Sequence, residues 1–450
     1  MRMEIEVEVI SKEIIKPSSP TPNHLHHHQL SFLDQLAPHA YMQFFYFYSS
    51  DGDGTKTFTQ ISKILKTSLS KVLTHYYPLA GRVKHNLVVH CSDQGVPFFE
   101  AKVKSQLLSD VIANSLLSES DLNKLLPFKT SEATEIPLGV QLSMFDCGGF
   151  AIGVCMSHRI ADALSYFIFV NNWAAIAKNC SNIFVAPDFS AASVFPPRNM
   201  EGYLGVSIIT KRKAIITRRF VFDGAKVEAL RSRYQESMEF SKTHKRPSRV
   251  EALSAFLWNV FLPSRPREPL ETTQTLYTAV CITDLRSRCD PPVSQHAFGN
   301  YYRAATATPT SVNGEERHRL VRQAMEEIEK IDNSYMRRFQ EGYQEHLDFM
   351  RKRMERAAIG ELVTLTFSSL CRFPTYDADF GWGKPAWVSM AAIGITNQIV
   401  FMDTKNGDGI ESYFSLTEED MAKFELHSEF ISLLKSPIGG SVKEKSVSRL

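Results

Sequence analysis

The chain has 450 residues, and its 51 Lys and Arg against 49 Asp and Glu leave a formal net charge of +2. Such a balance excludes a chain built to coat nucleic acid, because that role requires a strong positive excess. A hydrophobic fraction of 43% with 22% charged residues is typical of a globular protein and excludes a disordered or fibrous one. Seven scattered cysteines without a Cys-x-x-Cys pair predict reduced thiols, and hence a reducing compartment.

The N-terminal segment predicts a strand. Residues 1–10 alternate acidic and apolar side chains, whereas a signal peptide has a basic start and an unbroken apolar run. The chain also has no run near the roughly 20 apolar residues that a membrane span requires. We therefore expect a cytoplasmic protein that does not insert into membranes.

Strands and helices alternate along the first half of the chain. Prolines in residues 16–22 predict a loop, and the aromatic run of residues 44–48 predicts a strand. Apolar residues at near-helical spacing predict a helix over residues 61–77. The almost wholly apolar residues 151–156 predict a strand that is buried on both faces. A largely buried helix over residues 163–177 is expected to follow it directly.

Residues 186–213 are rich in proline and glycine and predict a linker. Domain boundaries fall in segments of this composition. We therefore expect an N-terminal domain over residues 1–185 and a C-terminal domain over residues 214–450.

The second half again mixes helices and strands. Its patterns predict a helix over residues 250–261 and a strand over residues 275–282. Charged residues with apolar positions at helical spacing predict one long helix from about residue 315 to 339. Residues 399–403 and 410–414 predict a hairpin, because a glycine-rich turn joins them.

The most informative segment lies between the buried strand and the buried helix, where Asp162 follows His158 four residues later. A histidine at a strand end is well placed to face a cleft, and imidazole takes a proton from a hydroxyl near neutral pH. Asp162 either orients this ring or caps the following helix. By itself the pattern favours the plainer interpretation, in which His158 is a satisfied loop residue and Asp162 only a cap.

A second and rarer string, Asp-Phe-Gly-Trp-Gly, occupies residues 379–383. With His158 and Asp162 it resembles the signature of the BAHD family of plant acyl-CoA-dependent acyltransferases, which carry H-x-x-x-D mid-chain and D-F-G-W-G near the C-terminus. Residues 11–17 and 33–35 look most like the group of alkaloid acetyltransferases and sugar acyltransferases within it. Further matching segments cover essentially the whole chain, at residues 77–82, 254–258, 284–286, 298–300 and 402–404.

The resemblance implies a mixed α/β fold of two chloramphenicol-acetyltransferase-like domains with a solvent channel between them. His158 is then expected in the channel as the general base, which deprotonates an acceptor hydroxyl for direct attack on the thioester without an acyl-enzyme. The expected co-substrate is acetyl-CoA or another short-chain acyl-CoA, and the expected acceptor is a plant alkaloid, terpenoid, phenolic or sugar. We expect a monomer without a permanently bound cofactor and without nucleic-acid or membrane partners.

The resemblance also implies roles for residues around the base. Asp162 is expected to pair with Arg286 and to support the site structurally. Asp379 is expected to be essential for activity because it maintains the fold near the coenzyme. Gly381 and Gly383 are expected to form a tight turn over the packed indole of Trp382.

One departure from the family pattern concerns the oxyanion of the tetrahedral intermediate. Several relatives have a tryptophan where this chain has Leu370, and the indole N–H has been assigned to the oxyanion. Leucine has no hydrogen-bond donor, so the candidate here is Ser368 or a backbone N–H. The phosphates of CoA require cations and turn N–H groups, for which the candidates are Ser254, Arg372, Lys211, Arg212 and Lys213.

Alternatives to this function stay open. The departure at Leu370 favours an inactive family member that serves as a binding or regulatory partner. An amine acceptor would make the product an amide instead of an ester. The tract of His24, His26, His27 and His28 has no acidic or cysteine partner at ligand spacing, so we expect an exposed loop and no metal.

Overall fold

The computed structural model describes residues 5–50, 56–104, 107–113, 119–128, 135–180, 182–200, 215–237, 246–262, 275–308, 319–391 and 394–435. Over these ranges, every helix is too short or too polar to cross a lipid bilayer. The predicted cations Lys211, Arg212 and Lys213 lie outside the described residues.

The first half of the chain mixes strands and helices in the predicted order. Its strands are β1 (Glu6–Ile15), β2 (His27–Gln29), β3 (Tyr41–Tyr48), β4 (Arg82–Lys84), β5 (Val88–His90), β6 (Val96–Lys104), β7 (Leu138–Phe145) and β8 (Phe150–Ser157). Its helices are α1 (Phe32–Leu36), α2 (Phe58–His75), α3 (Leu108–Ala113), α4 (Glu119–Leu122), α5 (Ala163–Ala177) and α6 (Ala191–Val194).

The first large sheet has the strand order β1-β6-β7-β8-β3, with one further strand beyond β3. Strands β6 and β7 run parallel, whereas β3, β7 and β8 pair antiparallel. Every residue of β8 is buried, which confirms the predicted double-sided burial. Because side chains alternate along a strand, Ile152 and Val154 pack in the cluster that contains α2 and α5, and Ala151 and Cys155 pack in the opposite one.

Local capping explains where the two large helices of this half begin. Thr57 and Gln60 form a capping box, so α2 starts at Phe58, three residues before the predicted helix. Helix α5 spans the predicted residues 163–177, and Asp162 caps its N-terminus. The two helices are held together where Trp173 Nε1 donates a hydrogen bond to Ser68 Oγ at 2.9 Å.

The second half supplies the remaining elements. Its strands are β9 (Ile215–Asp223), β10 (Leu276–Asp284), β11 (Tyr302–Ala307), β12 (Leu362–Ser369), β13 (Trp387–Met390), β14 (Gln398–Asp403) and β15 (Gly409–Thr417). Its helices are α7 (Gly224–Ser237), α8 (Arg249–Phe261), α9 (Arg319–Glu329), α10 (Asn333–Glu341), α11 (Tyr343–Ala358), α12 (Glu418–Leu426) and α13 (Ser428–Leu433).

The second large sheet has the strand order β11-β10-β12-β14-β15-β9. Strands β10, β12 and β14 run parallel to one another, and β14 and β15 form the predicted antiparallel hairpin. One face of this sheet packs against α7, α8, α12 and α13 in a core of aromatic and aliphatic side chains. This arrangement leaves β10, β11 and β12 close to the segment that holds His158.

Strand β13 belongs to the first sheet although it comes from the second half of the chain. It pairs antiparallel with β3, and Trp387 stacks on Phe47 with ring centroids 5.1 Å apart. Leu370, Phe380 and Met402 also join the apolar core of the first half. The two halves are therefore interlocked. The sequence did not predict this, because the four residues of β13 are too few to show a strand pattern. The domain boundaries stay a prediction.

The single long helix predicted from about residue 315 to 339 is wrong. The described residues of this region form two helices, α9 and α10, with a break between them. The cause is Asp332, whose side chain accepts a hydrogen bond from the backbone N–H of Tyr335 at 2.7 Å and thereby starts α10 anew. Residues 315–318 lie outside the described ranges.

Candidate active site

His158 lies in the short connection between β8 and α5. The backbone N–H of His158 donates to the carbonyl oxygen of Ala40 at 2.9 Å, which fixes the connection against the N-terminal end of β3. Its imidazole lines a cavity of about 970 Å³, whose walls come from both halves of the chain. A cavity of this size accommodates a small organic molecule.

The imidazole is oriented by an asparagine that the sequence analysis did not assign to the site. His158 Nδ1 lies 3.1 Å from Asn300 Oδ1, while Asn300 Nδ2 donates to the His158 carbonyl oxygen at 2.8 Å. Because the amide oxygen accepts, Nδ1 carries the proton and Nε2 keeps its lone pair. Nε2 has no hydrogen-bond partner among the described residues and is left to act as a base.

Asn300 is itself held by a buried carboxylate. Asp34 Oδ1 accepts hydrogen bonds from the backbone N–H and from Nδ2 of Asn300, both at 2.8 Å. Asp34 Oδ2 accepts from the backbone N–H and hydroxyl of Ser31 at 2.8 and 2.7 Å. Burial raises the pKa of Asp34 to about 6. The sequence matched both residues to the family pattern, but nothing in their spacing assigned them a role beside His158.

Burial also decides the protonation state of His158. It lowers the pKa of the imidazole from its ordinary value near 6.5, and the weaker opposing effects of backbone hydrogen bonds to His158 and Ala161, of Asp162 and of Asn300 do not reverse this shift. The ring is therefore neutral at physiological pH. A neutral imidazole with a free Nε2 is the form that a general base requires.

The structure brings Asp162 and Arg286 together as the resemblance implied. Arg286 Nη1 and Nη2 donate to the two carboxylate oxygens of Asp162 at 2.8 and 3.1 Å. The same carboxylate caps α5 through the backbone N–H of Ser165 at 2.9 Å and accepts from the backbone N–H of Tyr301 at 3.0 Å. Burial opposes ionisation of Asp162, but the charge of Arg286 and the hydrogen bonds from Arg286, Ser165 and Tyr301 together outweigh it and hold the pKa below its usual value. Asp162 therefore both caps α5 and pairs with Arg286.

Asp379 organises the turn of the Asp-Phe-Gly-Trp-Gly string and does not line the cavity. Its Oδ1 accepts hydrogen bonds from the backbone N–H groups of Gly381 and Gly383, both at 2.9 Å, and Oδ2 pairs with Lys178. The two glycines have φ values of +101° and +92°, which L-residues with side chains rarely adopt. The indole of Trp382 packs edge-on against Phe150 with centroids 5.5 Å apart. The string is therefore a folded turn outside the cavity that His158 lines.

Replacing Asp379 by alanine is expected to abolish transfer by releasing this turn. Hydrogen bonds to a charged group contribute about 1.5–3 kcal/mol each, and the variant loses two together with the ion pair to Lys178. Urea unfolding measures the loss of stability, and steady-state rates measure the loss of activity. Asp379→Asn keeps an acceptor oxygen and should be milder. The matched control is Asp377→Ala, which removes only an exposed pair with Lys384; equal losses in both variants contradict the assignment.

The predicted oxyanion and coenzyme residues are only partly brought together. Ser368 and Leu370 line the cavity with His158. Ser254 is buried on α8, and Arg372 is exposed with its backbone N–H donating to Asp403 Oδ2 at 2.6 Å. Ser254 and Arg372 do not line the cavity, so their predicted coenzyme contacts would belong to a different face.

The histidine tract differs from the expected exposed loop. His28 lies in β2 and is buried, with its ring 5.3 Å from that of Phe189. Burial lowers the pKa of His28 to about 4, so this ring is neutral. In the part of the chain that the structure describes, His, Cys, Asp and Glu form no cluster suited to a metal ion.

Comparison with known proteins identifies the family. The model of the Transferase family matches residues 5–431. Stemmadenine O-acetyltransferase of Catharanthus roseus is 39% identical over 437 residues, which cover 95% of this chain and 98% of the relative. Limonoid 21-O-acetyltransferase of Melia azedarach is 35% identical over 439 residues, with 95% and 98% covered.

Solved structures agree with this result. The crystal structure of vinorine synthase matches with a TM-score of 0.81 at 34% identity, covering 96% of this chain and 99% of that one. A protein of F. sporotrichioides solved with coenzyme A and T-2 matches with a TM-score of 0.70 at 18% identity, over 91% and 99%. At that identity the second match shows the fold alone, and together they confirm the predicted fold class. The chain is an acyl-CoA acyltransferase and belongs to the Transferase family, the BAHD acyltransferases.

Proposed function

We propose that this enzyme transfers an acetyl or other short aliphatic group from acyl-CoA to a hydroxyl of a plant specialised metabolite. The observation that carries the proposal is a neutral imidazole, His158, whose Nε2 is free and whose ring lines a large cavity. The names of the relatives support it, since they are O-acetyltransferases of stemmadenine and of limonoids.

The proposed reaction is a direct transfer in which His158 moves the proton. Nε2 takes the proton of the acceptor hydroxyl while its oxygen attacks the carbonyl carbon of the thioester. The tetrahedral intermediate collapses with cleavage of the C–S bond, and the imidazolium returns its proton to the thiolate. The products are an ester and free CoA. Ser368, which lines the same cavity, is the proposed donor to the oxyanion in place of an indole.

A competition assay with detection by mass spectrometry tests the proposal. The purified protein receives acetyl-, short branched-, malonyl-, benzoyl- and hydroxycinnamoyl-CoA together with a pooled extract of plant alcohols. We expect an acetyl or short-chain ester, which mild alkali hydrolyses. A product that survives mild alkali would be an amide and would overturn the hydroxyl assignment. Measurable CoA binding without any product would favour the inactive binding protein.

Replacing Asn300 by alanine is expected to lower kcat roughly 10- to 100-fold with little change in KM. The base itself remains, but the hydrogen bond that keeps the proton on Nδ1 is lost, and a positioned base supplies about 10²–10⁴-fold. The rate of the variant should still fall when the pH is low enough to protonate His158, whereas an unfolded site would show no such dependence. Asn171→Ala, which removes a contact to the Pro374 carbonyl, is the control. An unchanged kcat in Asn300→Ala would exclude the positioning role.

A further inference from the structure

One wall of the cavity carries an arginine that is fixed by two threonines. Arg353, on α11, lines the cavity. Its Nη2 lies 3.1 Å from Thr278 Oγ1 and 3.4 Å from Thr364 Oγ1, and these threonines face each other across the parallel strands β10 and β12. The guanidinium is thus anchored at one corner. Its planar fork is the geometry that binds a carboxylate.

A second arginine adds positive charge to the same cavity. Arg303, on β11, is 9% exposed and lines the cavity. Its Nη2 lies 2.6 Å from His346 Nε2, and its guanidinium lies 4.2 Å from the centre of the Phe339 ring. Burial and the charge of Arg303 lower the pKa of His346 to about 3, so this ring is neutral and does not neutralise the arginine. His346 and Arg353 are two turns apart on the same side of α11. Because Arg303 contacts His346, the two arginines lie along one side of this helix.

The carboxylates that line the cavity already have partners, whereas the partners of these two arginines carry no negative charge. Asp162 and Asp284 pair with Arg286, Glu327 pairs with Lys330, and Asp332 caps α10. Among the described residues, no carboxylate lies within 4 Å of Arg303 or Arg353. A cation in a partly buried site without a counter-charge is costly. The wall that carries Arg303 and Arg353 therefore suits a bound carboxylate better than a protonated amine.

We propose that the acceptor is an alcohol that also carries a carboxylate, and that Arg353 binds this carboxylate. The inference rests on the proposed function and names its acceptor class. A carboxylate on the acyl donor would satisfy the same arginine. The acceptor is favoured because Ser254 and Arg372, the described candidates for coenzyme binding, do not line this cavity.

The test uses a matched set of flexible alcohols with acetyl-CoA: ω-hydroxydodecanoic acid, its methyl ester and ω-aminododecanol. We expect the native enzyme to prefer the acid over the ester in kcat/KM. Arg353→Met should lower the acid-to-ester ratio about 10- to 100-fold, as expected for charge-assisted hydrogen bonds. Arg353→Lys should keep part of the preference. Arg351→Met removes an exposed partner of Asp348 on the same helix and should leave the ratio unchanged.

Several outcomes overturn the inference. The first is an acid-to-ester ratio near one in the native enzyme. The second is a preference for the amine, and the third is a ratio that Arg353→Met does not change. If Arg353→Met instead removes a preference for malonyl-CoA over acetyl-CoA with the ester as acceptor, the carboxylate belongs to the donor. If no pair of donor and acceptor reacts, the proposed function fails. Calorimetric binding of the acid and of its methyl ester then tests the inference by itself. Binding of the acid no tighter than that of the ester, or no binding at all, rejects it.

Discussion

Replacing His158 by alanine is expected to lower kcat by about 10²–10⁴-fold, the contribution of a positioned general base. The variant keeps the cavity and the ion pair of Asp162 with Arg286, so acyl-CoA binding and thermal stability should change little. Turnover of an established acceptor and calorimetric binding of CoA measure the two effects separately. Loss of turnover with intact binding assigns the proton transfer to this side chain.

The pH dependence gives an independent check on the same residue. Because burial lowers the pKa of His158, the neutral base persists as the pH falls to about 6.5, and kcat/KM should decline only below this value. The residual activity of His158→Ala should lack that decline. His24→Ala changes an exposed histidine of the tract and is the matched control. Substantial activity in His158→Ala with an unchanged profile would refute the assignment.

Breaking the ion pair of Asp162 and Arg286 is expected to cost about 3–5 kcal/mol of unfolding free energy, because one buried charge is left without its partner. The side chain of Arg286 is only 2% exposed, and it joins the His158 segment to β10 and to residues 297–301. Arg286→Met should therefore shift the urea midpoint strongly and lower activity in proportion to the folded fraction.

The double variant Asp162→Asn/Arg286→Met separates the two contributions. Removing both charges leaves only the more exposed carboxylate of Asp284 without its partner, so the double variant should be more stable than Arg286→Met alone. Arg351→Met removes a pair that is exposed on both sides and should cost less than about 1 kcal/mol. If the double variant is the least stable of the three, the unpaired charge is not the cause.

The sequence predicted those parts of the fold that local pattern determines. Strand β8 is almost wholly apolar and helix α5 is largely apolar, and both were found where the pattern placed them. The break at Asp332 was missed because a capping aspartate inside a charged helix looks like any other surface residue. The spacing of apolar residues along a helix does not show which side chain accepts a hydrogen bond from a backbone N–H and so starts a new helix.

The candidate site shows the same division. The family resemblance identified His158, Asp162 and Arg286, and the last two meet in the structure. Asn300 and Asp34 were missed because their link to His158 joins residues far apart in the chain, and no spacing rule connects them. The arginines of the cavity wall were missed for a related reason. Whether an arginine is paired depends on neighbours that only the tertiary structure brings near.

The placement of β13 has a consequence for how the protein is made. On a ribosome, the edge of β3 emerges long before Trp387–Met390, which must pair with it. Until then β3 pairs with β8 on one side only, and its other edge is open as a template for association with other chains. Separate expression of residues 1–200 should give the same exposed edge and an aggregating fragment, whereas adding a peptide of residues 384–391 should improve its solubility. The late strand thus makes the nascent chain prone to association with other chains until residues 387–390 are synthesised.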